Sequence, residues 1–166
     1  MTGNDSLLAY VGLGGNLGDA RRRILEAFGA LARIPRTRLL RRSRLYRTRP
    51  WGLAGQPDFV NAAAELDTRL GPRELLDALL TIERANGRVR DADRWGPRTL
   101  DLDLLACGDL RIDAPGLTLP HPRIGERAFV LLPLAELAPH LHLGDAGSVR
   151  EQLAHVDTGG CTLLEE

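Results

Sequence analysis

Between residues 100 and 104 the chain reads LDLDL, a strict alternation of leucine and aspartate. A helix of period 3.6 would scatter these aspartates around its axis, whereas a strand of period two sorts the leucines to one face and the acids to the other. The alternation predicts a half-buried strand over residues 99–107. Leu100, Leu102 and Leu104 then point into the core, and Asp101 and Asp103 share the other face. Residues two apart on a strand lie roughly 7 Å from each other along the backbone. A solvated outer face usually carries mixed polar residues, and two neighbouring acids repel unless a cation or an arginine sits between them. Spacing alone leaves both readings open, a hard divalent ion or an arginine-paired surface.

The stretch before this strand supplies Arg88, Arg90, Arg94 and Arg98 within a short segment rich in turn residues. Arginine forks match phosphate oxygens in bidentate fashion. A plain solvated loop is the competing reading, and the interspersed Asp91 and Asp93 favour it. Four arginines joined to two strand acids make a phosphate-plus-metal site the more economical one. Basic groups and divalent cations together neutralise a polyphosphate during phosphoryl transfer.

The rest of the pattern frames that strand. Residues 7–13 (LLAYVGL) read as a first strand, followed by a glycine-rich turn, GLGGNLG. That turn is neither GxGxxG nor a Walker A motif, and Asn16 within it could turn the chain or bind. Ile24, Ala27, Phe28 and Leu31 recur at helical spacing over 19–34, with Asp19 as N-cap. Residues 39–46 read as a second strand and 59–68 (FVNAAAELDT) as a third, with Phe59, Asn61 and Glu65 on one face. Gly71-Pro72 opens a second helix whose apolar stripe is Leu75, Leu76, Leu79 and Leu80. Glu83 falls on that same stripe, and an acid there needs a partner. A proline-punctuated segment, a short apolar helix near 130–137 and an acidic tail complete the chain. The order strand–helix–strand–strand–helix–strand predicts an α+β, ferredoxin-like β-α-β-β-α-β fold. It is an antiparallel sheet with helices on one face, plus a short C-terminal helix region.

A length of 166 residues fits one domain spanning 1–166, and no linker or repeat divides it. Net charge is zero, with 22 basic and 22 acidic residues, so no global field draws nucleic acid or membrane. Every basic residue is arginine, which excludes Schiff-base and P-loop lysine chemistry. No secretory signal and no 18-residue apolar window are present, and the two cysteines lack metal-ligand spacing. A cytoplasmic protein with free thiols is the expectation. Aromatics make up only 4%, so Trp51 and Trp95, both in Pro/Gly loops, read as ligand lids rather than core. His121 is held between prolines with Arg123 and Arg127 nearby; a lone loop histidine is more often incidental.

Taken together, YVGLGGNLGD at Tyr10, YRTRPWG at Tyr46, QPDFVNAA at Gln56, GRVRDADRWGPRTLDLDLL at Gly87 and LPHPRIGERAFVLLPLAELAP at Leu119 resemble the 6-hydroxymethyl-7,8-dihydropterin pyrophosphokinases. These enzymes of folate biosynthesis move a pyrophosphoryl group from ATP to a pterin alcohol. The resemblance implies that Asp101 and Asp103 hold two Mg²⁺ ions bridging the ATP phosphates. It places Glu83, Arg88, Arg90, Arg94, Arg98, Leu104, His121 and Arg127 at ATP, with Arg88 and Arg98 joining the aspartates in catalysis. Glu83 would orient neighbouring arginines, and Leu104 would line the adenine pocket. Asn16, Thr48, Pro50, Trp51, Phe59, Asn61, Trp95 and Phe129 fall to the pterin substrate. In-line attack of the pterin hydroxyl on the β-phosphorus would release AMP. No nucleic-acid, membrane or obligate protein partner is implied.

A different class, a ferredoxin-like nucleic-acid-binding domain, draws on the eleven arginines between 21 and 49. RNA-binding sheets of this kind stack bases on aromatics of adjacent central strands. Here the corresponding strand carries Asp101 and Asp103, which repel phosphate unless a metal intervenes. A non-catalytic metabolite-binding domain is the third reading, and the paired acids argue against it.

Overall fold

The computed structural model describes residues 5–49, 55, 57–86 and 99–164. Strand β1 (Leu7–Gly15) leads into helix α1 (Ala20–Ala32), then β2 (Thr37–Arg42), β3 (Tyr46–Thr48) and β4 (Phe59–Thr68). Helix α2 (Pro72–Ala85) precedes β5 (Asp101–Cys107), the hairpin β6 (Ile112–Ala114) and β7 (Leu117–Leu119), then α3 (Ala128–Leu137), α4 (Val149–Leu153) and β8 (Cys161–Leu163). The main sheet runs β5-β1-β4-β3-β8, with β2 also paired to β4, and every pairing is antiparallel. This is the expected β-α-β-β-α-β frame.

Local chemistry sets the helix starts. The Asp19 carboxylate accepts from the Arg22 amide at 3.1 Å and caps α1. Proline stands at the first position of α2, where its missing N–H is no loss. Both helices bury one stripe against the same face of the sheet. Ile24, Phe28 and Leu31 of α1 and Leu75 and Leu79 of α2 meet Val11, Leu13, Leu66, Leu102 and Leu104. Each such large side chain contributes about 1.5–3 kcal/mol by leaving water.

Half of the opposite face is also covered. Tyr10, Ala63, Leu105 and Ala106 pack there against Val130, Leu131 and Leu134 of α3, with Val149 of α4 behind them. A bulge between Tyr10 and Val11 sets Leu105 and Ala106 together on this side. Two acids tie α3 to the sheet. Glu65 accepts from Tyr10 at 2.6 Å and from Arg41 at 3.0 Å, and Arg41 also donates to the Leu137 carbonyl at the end of α3. Glu136 accepts from the Arg44 amide at 3.0 Å, from the Arg44 side chain and from the Tyr46 hydroxyl.

The structure corrects four local readings. Strand β1 continues through Gly15, so Gly12 and Gly14 lie in the sheet rather than in a turn. The single strand read over 39–46 is two, β2 and β3. The break falls at Ser43, whose hydroxyl accepts from the Ala63 amide at 2.8 Å while its own amide donates to the Ala63 carbonyl, also at 2.8 Å. A side chain there stands in for a ladder acceptor. The proline-punctuated segment holds the β6–β7 hairpin, turned at Pro115-Gly116 with Gly116 at φ +75°. The tail is no mere acidic extension, because it contains α4 and β8.

The arginine-rich stretch of 21–49 is threaded with ion pairs. Arg38 meets Asp67 at 3.0 Å, Arg41 meets Glu65 and Arg44 meets Glu136. No helix among the described residues is long and apolar enough to cross a membrane.

Candidate active site

The uncovered half of the sheet face forms the floor of a cleft of about 730 Å³. Gly12 and Gly14 of β1 run along its middle, with Asn61 of β4 on one side and Asp101 and Asp103 of β5 on the other. The register pairs Gly14 with both Asn61 and Asp101, and Gly12 with Asp103. No side chain therefore rises between the aspartates and Asn61. A Cβ at Gly14 would lie 2.8 Å from Asn61 Oδ1, so glycine is needed for that approach.

Helix α2 fixes the aspartate strand. Glu83 is buried, and its Oε2 accepts from the Leu102 amide at 2.7 Å. The acid on the apolar stripe thus grips β5 between Asp101 and Asp103. Leu104 is 4% exposed, packs on the helix side of the sheet and is not part of the cleft lining.

The far wall comes from the entrance to α3. The Arg127 guanidinium stands 5.8 Å from the centre of the Phe129 ring, so a cation and an aromatic face enter the cleft together. His121 is tied back through its amide to the Leu105 carbonyl at 2.9 Å. Burial holds its imidazole below the ordinary histidine pKa. Asp103 works against this, and Arg127 and Arg123 add to it. One acid and two arginines therefore share the region of this ring.

Phe59 and Thr48 complete the other wall. Asn61 Nδ2 donates to Thr48 Oγ1 at 2.9 Å. Asn16 is buried outside the cleft lining and donates to the Pro57 carbonyl at 3.0 Å, holding the approach to β4. Pro50, Trp51, Arg88, Arg90, Arg94, Trp95 and Arg98, with Asp91 and Asp93, lie outside the described residues.

Of the residues singled out in the sequence, the cleft gathers Asp101, Asp103, Asn61, Thr48, Phe59, Phe129 and Arg127. Sequence reasoning missed Asp157 and Cys161, which also line it. No motif marks them; the pairing of β8 with β3 brings in Cys161, and Asp157 stands on the segment just before that strand. Among the described residues no cluster of three or more His, Cys, Asp or Glu could hold a metal. The donor set for an ion here is the carboxylate pair. Two carboxylates on an open floor fit a hard cation such as Mg²⁺, which takes its remaining ligands from phosphate and water.

Residues 10–139 match the model of a protein family described as 7,8-dihydro-6-hydroxymethylpterin-pyrophosphokinase (HPPK). A protein of Pseudomonas aeruginosa named 2-amino-4-hydroxy-6-hydroxymethyldihydropteridine pyrophosphokinase is 54% identical over 145 residues, covering 87% of this chain and 89% of its own length. A protein of the same name from Methylorubrum extorquens is 48% identical over 157 residues, 95% of this chain and 98% of the relative. The fold is similar to the crystal structure of wild-type Plasmodium falciparum HPPK-DHPS, with a TM-score of 0.68 at 14% identity over 90% of this chain. The chain spans only 41% of that longer protein.

Proposed function

The chain belongs to the 7,8-dihydro-6-hydroxymethylpterin-pyrophosphokinase family, and from that premise we propose how its cleft carries the reaction. The enzyme transfers pyrophosphate from ATP to 6-hydroxymethyl-7,8-dihydropterin in folate biosynthesis. In the transfer the pterin hydroxyl oxygen bonds to the β-phosphorus, the bond from that phosphorus to the α-phosphate oxygen breaks, and AMP leaves.

The paired carboxylates of Asp101 and Asp103 on a floor cleared by Gly12 and Gly14 carry this reading. These two residues would hold two Mg²⁺ ions. Bound there, the ions would neutralise the polyphosphate and make the substrate hydroxyl more acidic. The protein's own part is positioning and charge. Arg127 and His121, which share the surroundings of Asp103, would meet the phosphates, and Arg88, Arg90, Arg94 and Arg98 would add cations from the preceding segment. Phe129 and Phe59 offer ring faces to the flat pterin, with Trp51 and Trp95 as further aromatic cover. Asn61 reads the pterin edge, beside Thr48, and Pro50 would add to the pterin contacts. Glu83 acts at one remove, through the strand that bears the aspartates. Little covalent chemistry falls to the protein in such a transfer.

The assay follows β-³²P from ATP in the presence of Mg²⁺ and the pterin alcohol. Label should appear in a pterin diphosphate with AMP as co-product. Release of labelled ADP, or AMP formation that ignores the pterin, would contradict the reading.

A further inference from the structure

The Asn61 amide has two unlike ends, and the cleft meets whichever end its neighbour leaves free. Thr48 Oγ1 lies 2.9 Å from Asn61 Nδ2. A threonine hydroxyl has one proton and two acceptor lone pairs, so it could in principle offer either to the amide. Cys161 stands within reach of the same hydroxyl. Its Sγ lies 3.8 Å from Thr48 Oγ1, with Thr48 as donor. Once that proton is directed at sulfur, the Thr48 oxygen can meet Asn61 only as an acceptor. The amide then turns its NH₂ to Thr48 and its Oδ1 over Gly14, where the missing Cβ makes room.

We propose that Cys161 is a positioning residue that sets the polarity of the Asn61 amide, so that the cleft presents a carbonyl acceptor to an N–H donor edge of the bound heterocycle. The identity of that heterocycle as the pterin rests on the pyrophosphokinase reading. The relay is built into the sheet. Thr48 and Cys161 are cross-strand partners of β3 and β8. Backbone bonds from Arg49 to the Gly160 carbonyl at 3.3 Å and from Leu164 to the Leu45 carbonyl at 2.9 Å hold β8 on either side. Burial raises the Cys161 thiol, Asp157 adds to this and the Thr48 bond opposes it, so the sulfur stays a neutral thiol at neutral pH. The segment matched to the family ends at residue 139, so this wall is supplied by chain beyond it.

The test compares Cys161→Ala and Cys161→Ser with the unaltered enzyme, measuring KM for the pterin and for ATP separately. Loss of one weak hydrogen bond predicts a pterin KM raised about fivefold in Cys161→Ala. The ATP KM and the melting temperature should stay unchanged. Cys161→Ser restores a polar group and should return the pterin KM towards its original value. An unchanged pterin KM in Cys161→Ala overturns the proposal, and so does an equal rise in both KM values. A second readout needs no turnover. In ¹⁵N-labelled protein the Asn61 NH₂ resonances should shift in Cys161→Ala and return in Cys161→Ser; no shift overturns the proposal. If the unaltered enzyme releases no pterin-dependent AMP, the functional reading fails instead, and the resonance test still decides the role of Cys161.

Discussion

The Leu102 amide donates to the buried Glu83 carboxylate at 2.7 Å, so α2 holds β5 midway between Asp101 and Asp103. The bond joins the helix layer to the cleft floor without touching the cleft itself. Glu83→Ala would orphan a buried amide and free the strand. A stability loss of about 1–3 kcal/mol is expected, or roughly 2–4 °C in melting temperature for each kcal/mol at this chain length. Turnover should fall with it. Glu83→Gln keeps an acceptor and should lose less of both. Thermal melts of the two variants check this, and equal losses would speak against the hydrogen bond as the cause.

Gly14 tests the floor. Its added Cβ would meet Asn61 Oδ1 at 2.8 Å, so Gly14→Ala must displace the Asn61 side chain and strain its bond to Thr48. We expect the pterin KM to rise about tenfold, as for a lost polar contact of about 1.4 kcal/mol, with the ATP KM nearly unchanged. Steady-state kinetics with each substrate varied in turn gives the answer.

The alternation of FVNAAAELDT places β4 at residues 59–68, as the structure has it, because period two leaves a mark on every residue. The caps at Asp19 and Gly71-Pro72 likewise mark where α1 and α2 begin. Ser43 shows where legibility ends. Its hydroxyl replaces a backbone acceptor, and a serine inside LLRRSRLY gives no sign of it. The glycines of β1 mislead for a related reason. They suggest a turn, yet Gly14 is small because Asn61, 47 positions later by residue number, leans over it. In the site, the aspartate pair is readable from spacing alone. Glu83 is readable as an anomaly, but the Leu102 amide that it accepts from carries no sequence signal. Cys161 meets Thr48 across 113 positions through a three-residue strand, too short to show a period.

Acid should loosen α3. Burial pushes the Glu65 pKa up, but its bonds to Arg41 and Tyr10 and the Arg41 charge outweigh this, and the folded value lies below the ordinary one. In the window between the folded pKa and the unfolded value near about 4.3, the unfolded chain binds the extra proton. The Glu65 contribution is therefore complete above that unfolded value and is lost as pH falls through the folded pKa. Urea unfolding between neutral and acid pH should show the advantage over Glu65→Gln shrinking as pH falls. A constant gap would exclude this group as its source.

The thiols should differ. Burial pushes Cys107 up to about 11, and it packs in the core between sheet and helices. In the native protein a disulfide-exchange reagent at neutral pH should reach Cys161 first and Cys107 only on unfolding. Simultaneous reaction of both in the folded protein would contradict the core placement.

The central claim is that the two acids of the LDLDL strand carry the pyrophosphoryl transfer. Its most direct measurement is AMP release from ATP with Mg²⁺ and pterin alcohol by Asp101→Asn and Asp103→Asn, each shown folded by circular dichroism. The account predicts that turnover collapses in both, by at least about a hundredfold, the scale of losing one preorganised electrostatic group. Full turnover in either folded variant would contradict it.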